Sequence, residues 1–127
     1  MVVEYPQFMS VVTGGNYHLQ QKSSLTPLPA NTVKAEIDAR RPIIAGISAG
    51  EGMQPPGIAQ HAVLIIGYAD GGNTVIINDP WPYQAVGQVA PYLQFGGTQL
   101  QLGQYAVSYS ALTGPINWRN AVYGIEP

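Results

Sequence analysis

Two short apolar runs dominate the chain. The first is Ala62-Val63-Leu64-Ile65-Ile66, preceded by His61 and followed by Gly67-Tyr68. The second is Val75-Ile76-Ile77, preceded by Thr74 and followed by Asn78-Asp79-Pro80-Trp81. Runs this short, rich in β-branched residues and bounded by Gly, Asn, Asp and Pro, predict buried strands. Between them, Ala69-Asp70-Gly71-Gly72-Asn73 carries hairpin chemistry, because Gly and Asn tolerate the positive φ that such loops need. Upstream, the period lengthens. Val33 and Ile37 share one face of a helix expected over Val33–Arg40, capped by Asn31 or Thr32, with Glu36 and Arg40 paired on another face. Pro42 ends that helix and opens a further expected strand, Ile43-Ile44-Ala45-Gly46-Ile47-Ser48.

The remaining stretches are less regular. Residues 1–30 read as an irregular lead-in with no assigned element, and 31–127 as a β-rich half-domain. Ala49–Ala59 is a long Gly- and Pro-containing connection just before His61, a position typical of site-bordering loops. Pro80-Trp81-Pro82-Tyr83 cannot continue a central strand, since neither proline donates to a ladder. One irregular strand is expected within Gln84–Leu102, then a strand over Gln104–Tyr109, a helical turn from Ser110 and a closing strand over Ala121–Ile125. The fold class is α+β: a twisted antiparallel sheet or partial barrel with one short helix near the N-terminal third.

Composition narrows the function. Charged residues make up only 9% of the 127, against 15 Gly and 11 Pro, which disfavours a helical bundle. A net charge of −2 with five Lys and Arg gives no basic patch for nucleic acid. No apolar run approaches the roughly 20 residues of a membrane-spanning helix. Without cysteine there is no disulfide and no thiolate ligand, and two histidines without suitably spaced carboxylates give no metal site. No cofactor is expected.

One strand thus begins with an imidazole and its expected partner ends with a carboxylate. A carboxylate that orients an imidazole leaves the other ring nitrogen to activate a nucleophile. Register decides whether the two meet. A two-residue Gly71-Gly72 loop pairs Asp79 with Leu64 and turns it away from His61. An odd-length loop centred near Asp70 sets Asp79 directly across from His61, with Cβ atoms about 5 Å apart. A purely structural domain predicts that the two do not touch. His18, in a polar stretch, reads as a solvated side chain.

His61-Ala62-Val63-Leu64-Ile65-Ile66-Gly67-Tyr68 resembles the histidine strand of papain-like cysteine peptidases. Asn78-Asp79-Pro80-Trp81 resembles the next strand of the bacterial branches, among them bacteriocin-leader peptidases and staphopain-like proteases, in which an Asp before Pro stands where papain has Asn. Val33–Ile44 is similar to the helix-to-strand passage of the same half-domain. The resemblance covers about residues 31–125. It implies that His61 is the general base and acid, that Asp79 orients it, and that Trp81 lies beside the pair. Asn78 is a second candidate for orienting, although its neighbour's parity points it to the opposite face. The resemblance also fits bacterial secretion, which no targeting segment supports.

The departure from that family is the missing nucleophile. No Gln-then-Cys segment opens a helix in residues 1–30, and Gln20-Gln21-Lys22-Ser23-Ser24 has no helix context to activate a serine. Two explanations follow: the C-terminal half of a longer peptidase, inactive without its Cys-bearing N-terminal half, or a non-catalytic module that holds a peptide. Acyl transfer by a related fold needs the same absent nucleophile. An isolated half exposes an apolar face, so a homodimer is expected. The expected substrate is a peptide or protein.

Overall fold

The computed structural model describes residues 20–49 and 61–126. Among them the chain runs β1 (Gln20–Ser24), α1 (Ala30–Asp38), β2 (Ile43–Ile47), β3 (His61–Ala69), β4 (Thr74–Asn78), α2 (Pro91–Gln94), β5 (Thr98–Gln101), β6 (Gln104–Ser108), α3 (Tyr109–Thr113) and β7 (Trp118–Glu126). The strands form one open antiparallel sheet in the order β1-β7-β2-β3-β4-β6-β5. The class is α+β, and the sheet does not close on itself. His18 and the connection over 50–60 lie outside the described residues.

The two apolar runs become β3 and β4 at the middle of the sheet. One face carries Ile43, Ala45, Ile47, Val63, Ile65, Val75, Ile77, Tyr105 and Val107, on which α1 lays Val33 and Ile37. The other face holds a smaller cluster of Leu64, Ile66 and Ile125. Burial on both faces is why β3 reads as an unbroken apolar run instead of an alternating one.

Helix α1 starts three residues earlier than the sequence suggests. Pro29 takes the N-cap position, its carbonyl accepting from Thr32 and Val33 N–H, and neither Asn31 nor Thr32 caps with a side chain. A Schellman motif ends it. Arg41 N–H donates to the Glu36 carbonyl at 2.8 Å and Arg40 N–H to that of Ile37 at 2.9 Å, with Arg40 in the left-handed region at φ 63°. This turn carries Arg40 away and brings Arg41 back, so the ion pair is Arg41–Glu36 at 2.8 Å rather than the expected Arg40–Glu36. Glu36 also accepts the N–H of Gly124 in β7. Burial alone would raise its pKa, but Arg41 and the Gly124 N–H outweigh it and lower it.

Two further differences have physical causes. Gln20–Ser24 lies in the stretch expected to be irregular, yet it pairs along β7 as an edge strand whose residues are nearly all exposed. With no buried face, it leaves no apolar alternation to read. The stretch expected to hold one irregular strand contains a 3-10 turn (Gln84–Val86), α2 and the edge strand β5, whose four residues are all exposed.

Candidate functional site

His61 opens β3 beside the last residue of β2, Ile47, while Asp79 follows the last residue of β4. Their meeting depends on a bulge. The hairpin closes through four residues, Asp70–Asn73, with Ala69 across from Thr74. Had that register continued, Asp79 would face Leu64, on the wrong side of the sheet. One extra β3 residue between Ile65 and Gly67 shifts the pairing, so that Ile65 faces Ile77 and Leu64 faces Asn78. Continued one step, the shifted register sets Asp79 across from Val63, two residues from His61 and on its face. Neither a two-residue loop nor an odd-length loop alone produces this pairing. The turn follows the even-loop register, and the bulge then re-aims the carboxylate into a diagonal contact.

The contact is short. His61 Nε2 lies 2.7 Å from Asp79 Oδ1. Asp79 is fully buried, whereas the His61 side chain keeps 32% of its surface exposed. Oδ1 also accepts the Trp81 N–H at 3.1 Å, and Oδ2 accepts the hydroxyls of Tyr83 at 2.7 Å and Tyr92 at 2.8 Å. Asp79's own N–H donates to the Gly103 carbonyl, fixing its backbone against the turn before β6. Burial pushes the Asp79 pKa up, but these four donors together hold it below the ordinary value. The carboxylate therefore stays charged, Nε2 of neutral His61 carries the proton that it donates, and Nδ1 is left with its lone pair. The bond to Asp79 raises the His61 pKa, partly offset by burial.

These opposed shifts predict a pH window. His61 binds its proton more tightly folded than unfolded, so its contribution is complete below about pH 6.5 and is lost as pH rises through the higher folded value. Asp79 contributes above its ordinary 3.8 and loses that contribution as pH falls through the lower folded value. Urea unfolding from pH 3 to 9 should show maximal stability between about 4 and 6.5. His61→Gln should flatten the decline on the alkaline side.

His61 borders a cleft of about 570 Å³ lined also by Ile47, Trp81, Tyr83, Val89 and Phe95. Trp81 is half-exposed on its wall, its indole N–H donating to Gln88 Oε1 at 3.0 Å. The structure thus brings His61, Asp79 and Trp81 together. Asn78 is not brought to them: it faces the other way, accepting from Gln104 Nε2 at 3.2 Å. Among the described residues, no three His, Asp or Glu side chains converge as metal ligands. Sequence reasoning missed Tyr83 and Tyr92. The signal available was indirect: a carboxylate at the end of a buried strand needs donors, and Tyr83 follows it by four residues.

The open antiparallel sheet carries an imidazole against a buried carboxylate at the edge of a cleft, and a match to a peptidase family marks the chain as a papain-like, peptidase-related domain. The chain belongs to the Peptidase C39-like family, whose model matches residues 5–114. No curated protein and no solved structure matches it.

Proposed function

We propose that this chain is the C-terminal, His/Asp-bearing part of a bacterial papain-like cysteine peptidase, and that the thiol acts from a segment outside these 127 residues. The observation that carries this reading is the 2.7 Å contact between His61 Nε2 and Asp79 Oδ1, which leaves Nδ1 without a partner among the described residues, beside a cleft. A thiol within reach of Nδ1 gives its proton to His61, and the raised His61 pKa favours the resulting thiolate–imidazolium pair. The thiolate attacks the scissile carbonyl carbon, and His61 returns the proton to the departing amine. The acyl group is left on sulfur as a thioester; water, giving a proton to His61, attacks its carbonyl carbon, the C–S bond breaks, and the carboxylic acid product leaves with the thiol restored. The half that brings the thiol covers the cleft rim, where Trp81, Val89 and Phe95 are exposed; without it, two copies of the chain cover this rim for each other. On its own the chain is inactive.

The absence of cysteine favours a second reading, a peptide-binding module that never cuts. The coding sequence upstream of Met1 separates the two. The peptidase reading expects a Gln and a Cys opening a helix there, and peptide hydrolysis by the joined protein that a thiol-alkylating reagent abolishes. A start codon at Met1 with no such segment rules against it, and peptide binding without cleavage then supports the module.

A further inference from the structure

Asp79 holds more donors than orienting one imidazole requires. Oδ1 serves His61 and the Trp81 N–H, whereas Oδ2 is given wholly to two phenols. These phenols come from separate segments. Tyr83 lies in the Pro-rich turn after β4, only partly buried. Tyr92 lies in α2, fully buried, its ring centroid 4.7 Å from that of Tyr105 and its carbonyl accepting the Gly97 N–H at 2.8 Å. A tyrosine that only packs satisfies its hydroxyl with any acceptor, as Tyr109 does on the Leu28 carbonyl at 2.6 Å. Two hydroxyls converging on one oxygen of a buried carboxylate are a different arrangement.

We propose that Tyr83 and Tyr92 are positioning residues for the His61–Asp79 pair: by filling Oδ2 they commit Oδ1 to His61, and by sharing the carboxylate's charge they set the pH at which His61 gives up its proton. The catalytic sense of this inference rests on the function proposed above, but the effect on His61 is measurable without substrate. Its sign follows from net charge. With His61 neutral, the pair carries one buried negative charge that leans on its donors; with His61 protonated, the pair is neutral overall and leans on them less. Removing a hydroxyl destabilises the first state more, so His61 keeps its proton to higher pH. Among the described residues, the titratable groups facing Asp79 are His61, Tyr83 from the turn, Tyr92 from α2 and Tyr105 from β6. Burial and the carboxylate push the phenols of Tyr83 and Tyr92 far up, so both stay protonated donors throughout.

The test is an NMR pH titration of His61 in the full chain, with His18→Gln telling the two histidine signals apart. Tyr83→Phe and Tyr92→Phe should each raise the His61 pKa by about half a unit. Tyr109→Phe, which removes a hydroxyl bonded to the Leu28 carbonyl and not to Asp79, should leave it unmoved. Should Tyr92→Phe fail to fold, the partly buried Tyr83→Phe decides alone. A His61 pKa that is unmoved or lowered in folded Tyr83→Phe overturns the inference. In the joined peptidase, the same variants should move the alkaline limb of activity upward. If the peptidase reading is wrong, no variant hydrolyses peptide, yet the titration still reports on the tyrosines.

Discussion

Asp79→Ala is expected to cost about 4 kcal/mol of stability. The carboxylate is fully buried and accepts four hydrogen bonds, from His61, Trp81, Tyr83 and Tyr92. Alanine leaves those donors facing a void, and a buried unpaired donor costs about 1–3 kcal/mol. Some will recover by turning to water on the cleft side, which keeps the sum well below four full penalties. Asp79→Asn should cost about half as much. Its amide oxygen can still accept from His61 and Trp81, while its NH2 donates to phenols that rotate to accept. Chemical denaturation of the three proteins checks this order. In both variants the His61 pKa should fall to 6.5 or below, because only the lowering effect of burial remains. A loss from alanine no greater than that from asparagine would mean that the four donors are not held by the carboxylate.

Gly97→Ala is the second large effect, and it acts through backbone alone. A Cβ at Gly97 would lie 2.6 Å from the Ala106 carbonyl oxygen and 2.7 Å from that of Tyr92. Neither atom is the free end of a flexible side chain, so β6 or α2 must move. Overpacking of this kind costs about 1–3 kcal/mol, and with both obstacles in the backbone the upper part of that range applies. The melting temperature should fall by about 10 °C. Because the displaced carbonyl belongs to Tyr92, the His61 titration should also shift, which a remote packing defect would not cause. Gly71→Ala is the contrast: its Cβ meets nothing within 4 Å, and only its φ of 65° penalises the change. That penalty is about 1 kcal/mol.

The apolar runs of β3 and β4 announced themselves because burial of both faces leaves a dense, β-branched sequence. So did α1, whose Val33 and Ile37 lie at helical spacing on the core. The edge strands β1 and β5 were illegible for the opposite reason, since strands without a buried face carry no hydrophobic code. The juxtaposition of His61 and Asp79 was only half legible. Turn chemistry between the strands pointed to a hairpin, but the bulge that brings the carboxylate to the imidazole's face depends on one extra residue between Ile65 and Gly67. Gly67 beside it is the available mark, because a glycine inside a strand often sits at a bulge, but it does not say which way the register shifts. The helix end failed similarly, because a Schellman turn with Arg in place of Gly at its left-handed position lacks the usual mark. Tyr92 was hidden by distance: it lies thirteen residues from Asp79, and a short helix sets its reach.

To act as a base, His61 must present an unprotonated Nδ1 to the cleft while Asp79 holds the proton on Nε2. Nitrogen-15 NMR of the ring, recorded on the alkaline side of its titration, reads the tautomer directly. The expected result is Nε2–H, an Nδ1 signal of the unprotonated type, and a pKa above the ordinary 6.5. A proton on Nδ1, or a pKa at or below 6.5, would contradict it and leave the carboxylate a structural group only.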